Sequence, residues 1–480
     1  MSSHHPSRRA FLAQLSGALG LAHLGPSAIQ TLLYGRERGA PFAQAFAQVG
    51  QGAPRAQRLL YLHFDGGWDL LLGLDPRDPA DFPDVEAPST GIETAYTRLP
   101  ARYSRGPIDV GPFKLGPCAA PLAPWAERIA LLRGIDMGTL THEVGRRYLN
   151  TARPPAGVSA QGVSISSYAA SALGGEQLIP HLAHRFESYH LDLPSEASAL
   201  NVASVDHLQY LLQETLGLPS YAPAHLRGAL NRYWAKQAEA YEARWAQLSQ
   251  GVLEADPRAF DELRKTLALR ARARSLVTAS LHESFQFGSE ALASLRAHYG
   301  LSPQQLDTPS GRAALAAQAL KTDLSRVVSL TLADGLDTHD GQWATDHSAR
   351  LEQGLIALSQ LLSDLADSPA PDGSGSLLDQ TLIVVTSEFS RTPRLNARGG
   401  RDHHLANAAL LIGGPVRGAQ VFGESSPRFM GPLKVDPITG RADPTGLALR
   451  PQELMVTVLA GLGLSPPEQV RASELSALLL

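Results

Sequence analysis

The sequence predicts an α/β fold: a mostly parallel sheet covered on both faces by helices, interrupted by a helical insertion over residues 206–321. Two observations predict it. Five short apolar runs, at residues 58–64, 129–133, 327–332, 381–386 and 408–412, lack polar alternation and read as strands buried on both faces. Several of them are separated by segments of helical period, and strands that alternate with helices build parallel sheets.

In chain order, the first element is an address. Ser7-Arg8-Arg9-Ala10-Phe11-Leu12 opens an apolar stretch from Ala10 to Leu24. That stretch is shorter than the ~20 residues of a bilayer-spanning helix and has the form of a signal-peptide core. It resembles a twin-arginine export signal, so residues 1–47 read as signal and leader, with Ala47 or Ala28 marking the cut. The expected partner is the twin-arginine export machinery. The expected destination is the periplasm or the exterior, with no stable membrane span after cleavage.

The remainder, residues 58–480, carries the sheet. Lys and Arg number 42 against 46 Asp and Glu, a net charge of −4 that argues for neither a nucleic-acid groove nor an anionic membrane surface. The single cysteine, Cys118, rules out an intrachain disulfide and a cysteine-rich zinc knuckle, so any metal must be held by His, Asp and Glu. The run at 58–64 ends in Asp65-Gly66-Gly67, a strand stopping at a tight turn. Residues 138–142 lead into a helix over 143–149. From 206 to 321 long Ala/Leu/Arg/Glu helices replace strand signals, broken at Pro219, Pro223, Pro257 and Pro303, hence the insertion. Residues 342–365 form a further helix with Leu351, Leu355, Leu358, Leu361, Leu362 and Leu365 on one side.

In such sheets ligands gather beyond the carboxyl ends of the strands. Asp65 follows the first strand, Asp337 and His339 follow the 327–332 strand, Glu388 follows the 381–386 strand, and His403 stands just before the 408–412 strand. Each is ambiguous alone: Asp65 serves equally as a turn former, and Glu388 as an ion-pair partner of Arg391. Together they form a set of oxygen and nitrogen donors suited to a transition metal, zinc or manganese, with one or two ions in the site. Thr141, at the start of the helix, is either a hydroxyl nucleophile or an N-cap. His142 is a general acid or base, an extra ligand, or a loop anchor. Arg391 and Arg401 either clamp an anionic ester or pair with Glu388 and Asp402.

The Ser-Arg-Arg-Ala-Phe-Leu start, Phe64-Asp65-Gly66-Gly67-Trp68-Asp69, Gly335-Leu336-Asp337-Thr338-His339, Ser387-Glu388-Phe389-Ser390-Arg391-Thr392-Pro393 and Gly399-Gly400-Arg401-Asp402-His403 resemble the bacterial family catalogued as domain of unknown function 1501 (DUF1501). That family is similar in arrangement to the alkaline phosphatase superfamily. The resemblance implies an alkaline-phosphatase-like fold in which Asp65 and Glu388 hold one metal and Asp337, His339 and His403 hold the other. Where that superfamily has Asp-His after the late strand, this chain has Glu388-Phe389, which leaves the first half-site short of an imidazole. His404 either replaces it or packs. The expected function is an exported metal-dependent hydrolase of phosphate or sulfate esters, with an anionic ester as substrate. The alternative is a non-catalytic exported metal-binding or assembly protein that keeps the fold.

Overall fold

Among the described residues, seven of the eight strands in the main sheet run parallel, and the one that does not brings the site together. The computed structural model describes residues 55–157, 159–175, 177–191, 193–194, 197–214 and 281–480, all within one unit, Ala53–Leu480. The signal and leader expected over 1–47 lie outside the described residues. The strands are β1 (Arg58–Phe64), β2 (Ile129–Asp136), β3 (His181–His184), β4 (Leu200–Val202), β5 (Val327–Ala333), β6 (Thr381–Thr386), β7 (Ala406–Gly413) and β8 (Gln420–Phe422), in the order β8-β2-β7-β6-β1-β5-β3-β4. The principal helices are α1 (His142–Thr151), α2 (Ile165–Leu173), α3 (Val205–Glu214), α4 (Pro309–Lys321), α5 (Asp346–Asp367) and α6 (Pro451–Gly461).

The uniform apolarity of the strands has its reason in two separate cores. Leu60, Leu62 and Phe64 of β1 face one core with α4 and α5, whose Leu315, Leu351, Leu355, Leu358, Leu361 and Leu365 are all buried. Leu59 and Tyr61 face the other, with Tyr148 of α1, Ile165 of α2 and Leu454 of α6. Because successive side chains leave a strand on opposite faces, both sets must be apolar once both faces are covered. Each fully buried leucine contributes about 2 kcal/mol. All five strand runs read from sequence are strands, and the leucine-striped helix is α5.

Of the insertion expected over 206–321, residues 215–280 lie outside the described residues. Its C-terminal part, α4, packs with α5 over β5 and belongs to the helical cover of the sheet. β3, β4 and β8 carry little sequence signal. They are short, and β3 begins and ends in histidine; His181 is buried and bonds Ser329 Oγ at 2.7 Å from Nε2.

β1 is the centre, flanked by β5 and β6 in parallel, so the residues following all three strands emerge at the same edge. β7 runs antiparallel to both β6 and β2. Reversal puts the segment before β7 at that edge as well, alongside the loop that follows β2 into α1. Five chain segments meet there.

Burial also makes the fold acid-sensitive. Desolvation pushes His181 down to about 3 and His347 down to about 4, so the folded chain keeps both neutral. Above the ordinary histidine value of about 6.5 the unfolded chain is neutral too, and their full contribution to stability is present. As pH falls below that value the unfolded state takes up protons that the folded state refuses. Stability then declines by about 1.4 kcal/mol per pH unit per residue, until the folded values are reached. Urea midpoints should therefore fall steadily from pH 6.5 to 4 and stay level from 7 to 8.

A candidate metal centre at the strand ends

Two glycines let the backbone come close enough to form the site. Gly66, at φ +110, lies against the Leu336–Asp337 backbone, where a Cβ would sit 2.6 Å from Asp337 N. Its own N–H donates to Glu388 Oε1 at 2.9 Å. Gly145 of α1 rests on Glu388, where a Cβ would sit 2.6 Å from the carbonyl oxygen. That approach lets His142 and Arg146, one helical turn apart and so on one face, reach the carboxylates below. Gly145→Ala should lift α1 off this turn, and both metal affinity and melting temperature should drop, by calorimetry and thermal denaturation respectively.

The first cluster centres on Asp337 Oδ1. His339 Nε2 stands 2.9 Å from it, His403 Nε2 3.2 Å and His142 Nε2 3.3 Å, with Arg391 Nη2 at 2.6 Å. The other nitrogen of each ring is already used: His339 Nδ1 on Asp402 Oδ1 at 2.7 Å, His403 Nδ1 on the Leu140 carbonyl at 2.6 Å, and His142 Nδ1 on Glu388 Oε1 at 2.6 Å. A carbonyl or carboxylate only accepts, so these Nδ1 atoms donate. His339 and His403 then face each other through Nε2 at 3.1 Å. Arg391 offsets the charge of Asp337 and reaches His339 Nε2 at 3.4 Å, but the facing lone pairs of His339 and His403 still repel unless a further cation or proton joins them. Imidazoles anchored through one nitrogen with the other free are arranged as metal ligands usually are. The rings also stack on Phe389, 4.7 Å from His142 and 4.4 Å from His403 between centroids.

The second cluster is His63, Asp65 and Glu388, with ligand atoms all within 4.8 Å of one another. His63 Nε2 lies 3.2 Å from Glu388 Oε2 and 3.8 Å from Asp65 Oδ1. His142 spans the two clusters, touching Glu388 through one nitrogen and Asp337 through the other. A divalent ion fits: the donor set is imidazole and carboxylate, and His63 Nε2 is buried without a hydrogen-bond partner.

Electrostatics keeps the carboxylates charged. Burial works to raise Glu388, but the hydrogen bond from His142 and the charge of the neighbouring His63 outweigh it and hold the group well below the usual range. Asp337 is likewise raised by burial and, more strongly, lowered by Arg391 and His403. Burial alone would lower His142, yet the Glu388 bond and the charges of Glu388 and Asp337 leave it raised. His403, with less compensation, is lowered by burial.

The motifs that build this edge lie inside one matched region. A sequence profile of the family described as "Protein of unknown function (DUF1501)" matches residues 56–468. The chain belongs to that family. No curated protein matches it. Among solved structures, this DUF1501 chain is similar to Ps i-CgsB in complex with k-i-k-neocarrahexaose, at 11% identity and a TM-score of 0.32, covering 88% of this chain and 74% of that one. It is also similar to a phosphoglycerate mutase of Leishmania mexicana at low cobalt concentration, at 13% identity and a TM-score of 0.29, covering 88% of this chain and 98% of that one. Likenesses this distant say nothing about chemistry.

All five metal-ligand candidates of this DUF1501 chain, Asp65, Asp337, His339, Glu388 and His403, stand at the one edge, and His142 joins them. His63 was missed, because it sits inside an apolar run. It supplies an imidazole beside Glu388, the position that Glu388-Phe389 was expected to leave short. The available signal was His63-x-Asp65 at a strand end, since residues two apart share a face. His404 is half-buried, accepts from Ala406 N through Nδ1 at 3.3 Å, and joins neither cluster.

Three expectations are corrected. Arg401 is no anion clamp: its side chain is fully buried, with Nε 3.0 Å from Asp69 Oδ2, its guanidinium 4.7 Å from the centre of the Trp343 ring, and further bonds to the Thr392 and Glu93 carbonyls. Arg391 pairs with Asp337 rather than Glu388. Its guanidinium is also committed to the Gly66, Gly67 and Arg401 carbonyls and to His339, which leaves no free edge for a substrate. Thr141 occupies the N-cap position of α1, but its exposed hydroxyl makes no capping bond and none to either cluster among the described residues.

Proposed function

We propose that this protein is an exported, metal-dependent hydrolase of phosphate or sulfate esters, with the alkaline-phosphatase-like arrangement its motifs imply. The observation that carries this reading is the pair of adjoining His/carboxylate clusters in which His339 and His403 turn bare nitrogens toward each other and toward Asp337. Bound there, zinc or manganese supplies Lewis acidity toward an ester oxygen. Asp337, His339 and His403 would hold one ion, and Asp65, Glu388 and His63 the other.

The chain's own part is proton handling and orientation. His142, with Nδ1–H fixed on Glu388 and its basicity raised, holds a proton at Nε2 over the join between the clusters. From there it protonates the departing ester oxygen. Phe389 and the Leu140 carbonyl keep the imidazole planes in place. As the Thr141 hydroxyl bonds neither cluster, the attacking group in this reading is solvent water. No described helix is long and apolar enough to cross a membrane. The twin-arginine start supports delivery of the folded protein by that export route to the periplasm or exterior.

The commitment of both Arg391 and Arg401 within the protein favours the second reading, a metal-binding or assembly protein without turnover. Measuring metal content of the mature protein, together with hydrolysis of aryl phosphates and aryl sulfates, separates the two. Bound metal with turnover of either ester class supports the enzyme. Bound metal with no turnover across a broad ester panel supports the binding protein, and a protein that takes up no divalent metal overturns both.

A further inference from the structure

The site holds a third guanidinium that is neither sealed nor fully engaged. We propose that Arg146 is the receptor for the tetrahedral oxyanion of the substrate, held in reserve on Asp65 until a divalent ion claims that carboxylate. The inference rests on the metallohydrolase reading and adds to it the residue that recognises the transferred group.

Arg146 Nη1 donates to Asp65 Oδ1 at 2.6 Å, and its other partner, Glu143, is 3.8 Å from Nη2. The side chains of Arg146 and Asp65 are 28% and 33% exposed, so solvent reaches the pair. Arg391 and Arg401, by contrast, are both 0% exposed and bonded all round. Arg147, the next residue, points away to Glu187 and Tyr189. Of the guanidiniums at this edge among the described residues, Arg146 alone combines access to solvent with a single strong partner.

That partner is itself a member of the His63–Asp65–Glu388 cluster. A guanidinium and a divalent ion compete for one carboxylate, and the ion carries twice the charge in a smaller radius. Once Asp65 binds the ion, Arg146 loses its anchor and is repelled from the centre, while its helix stays fixed through Gly145 on Glu388. The freed fork then lies one helical turn from His142, facing the opening. Its planar pair of N–H groups matches two oxygens of a phosphoryl or sulfuryl group. Anion affinity is thereby made to depend on metal, because without metal the guanidinium is already occupied.

The test is titration calorimetry of wild-type protein, R146Q and R146K with zinc or manganese, and then of each metal-loaded protein with inorganic phosphate and, separately, sulfate. In R146Q metal should bind at least as tightly as in wild type, since Asp65 no longer has to be released. The anion bound by wild type should bind tenfold or more weakly to R146Q, with R146K between the two. Wild type stripped of metal should bind neither anion. Which of phosphate and sulfate the wild type prefers identifies the ester class. Equal anion affinity in wild type and R146Q overturns the assignment of Arg146 while leaving the hydrolase reading intact. A metal-loaded wild type that binds neither anion overturns the hydrolase reading, and this inference with it.

Discussion

On the proposed reading, replacing Asp337 by asparagine will strip the first cluster of its metal and lower ester hydrolysis by at least about a hundredfold. Oδ1 of this residue is the point on which His339, His403, His142 and Arg391 all converge, between 2.6 and 3.3 Å away. The amide preserves shape and one acceptor oxygen but removes the charge that offsets the bound ion. It also puts an NH2 group where a cation belongs if it turns its nitrogen inward. Metal content by elemental analysis should fall by one ion per chain, and melting temperature should lose its response to added zinc or manganese. Unchanged metal content in the folded variant would remove Asp337 from the centre. The fold should survive, because Asp337 is 46% exposed and lies in a loop rather than a core strand.

Glu388→Ala will destabilise the protein even without metal, by about 3–5 kcal/mol, the usual cost of removing one partner from a buried ion pair. Glu388 is fully buried and accepts from the Gly66 N–H, from Ser387 Oγ at 3.2 Å and from His142 Nδ1, with His63 Nε2 beside it. Its loss orphans two imidazoles and a backbone N–H at once. Asp337→Asn and Glu388→Ala should thus part company: the first defect lies in metal and turnover, the second also in the urea midpoint of the metal-free protein. A Glu388→Ala midpoint equal to wild type would mean that the carboxylate adds nothing to the fold. Glu388→Gln, which keeps the acceptor for Gly66, should recover part of the stability and little of the metal binding.

Much of this architecture was legible because it depends on local pattern. Strands buried on both faces have to be continuously apolar, and β1, β5, β6 and β7 announce themselves that way. Carboxylates that follow such strands, Asp65 and Glu388 among them, are marked by the turn that ends the strand. The leucine stripe of α5 follows from the pitch of a helix. The short strands β3 and β4 were not legible, because four and three residues that include histidine or asparagine carry no period to detect.

The assignments that failed were those that depend on partners far away in the chain. Arg391 and Arg401 are indistinguishable by sequence from substrate clamps, and what excludes them is Asp337, Asp69, Trp343 and a ring of carbonyls brought up by other segments. His63 looked like one more buried strand residue until Glu388, 325 positions later, was folded against it. What the sequence by itself determined is which segments are strands, which face of each helix is apolar, and which donors stand at strand ends. Only the tertiary structure decided that β7 runs backwards, carrying His403 to the edge where β1, β5 and β6 finish, and which arginine there stays within reach of solvent. The physical reason is range: backbone conformation and burial pattern are written within a few neighbours, whereas strand direction and the partner of a charge are settled by contacts that form when the sheet closes.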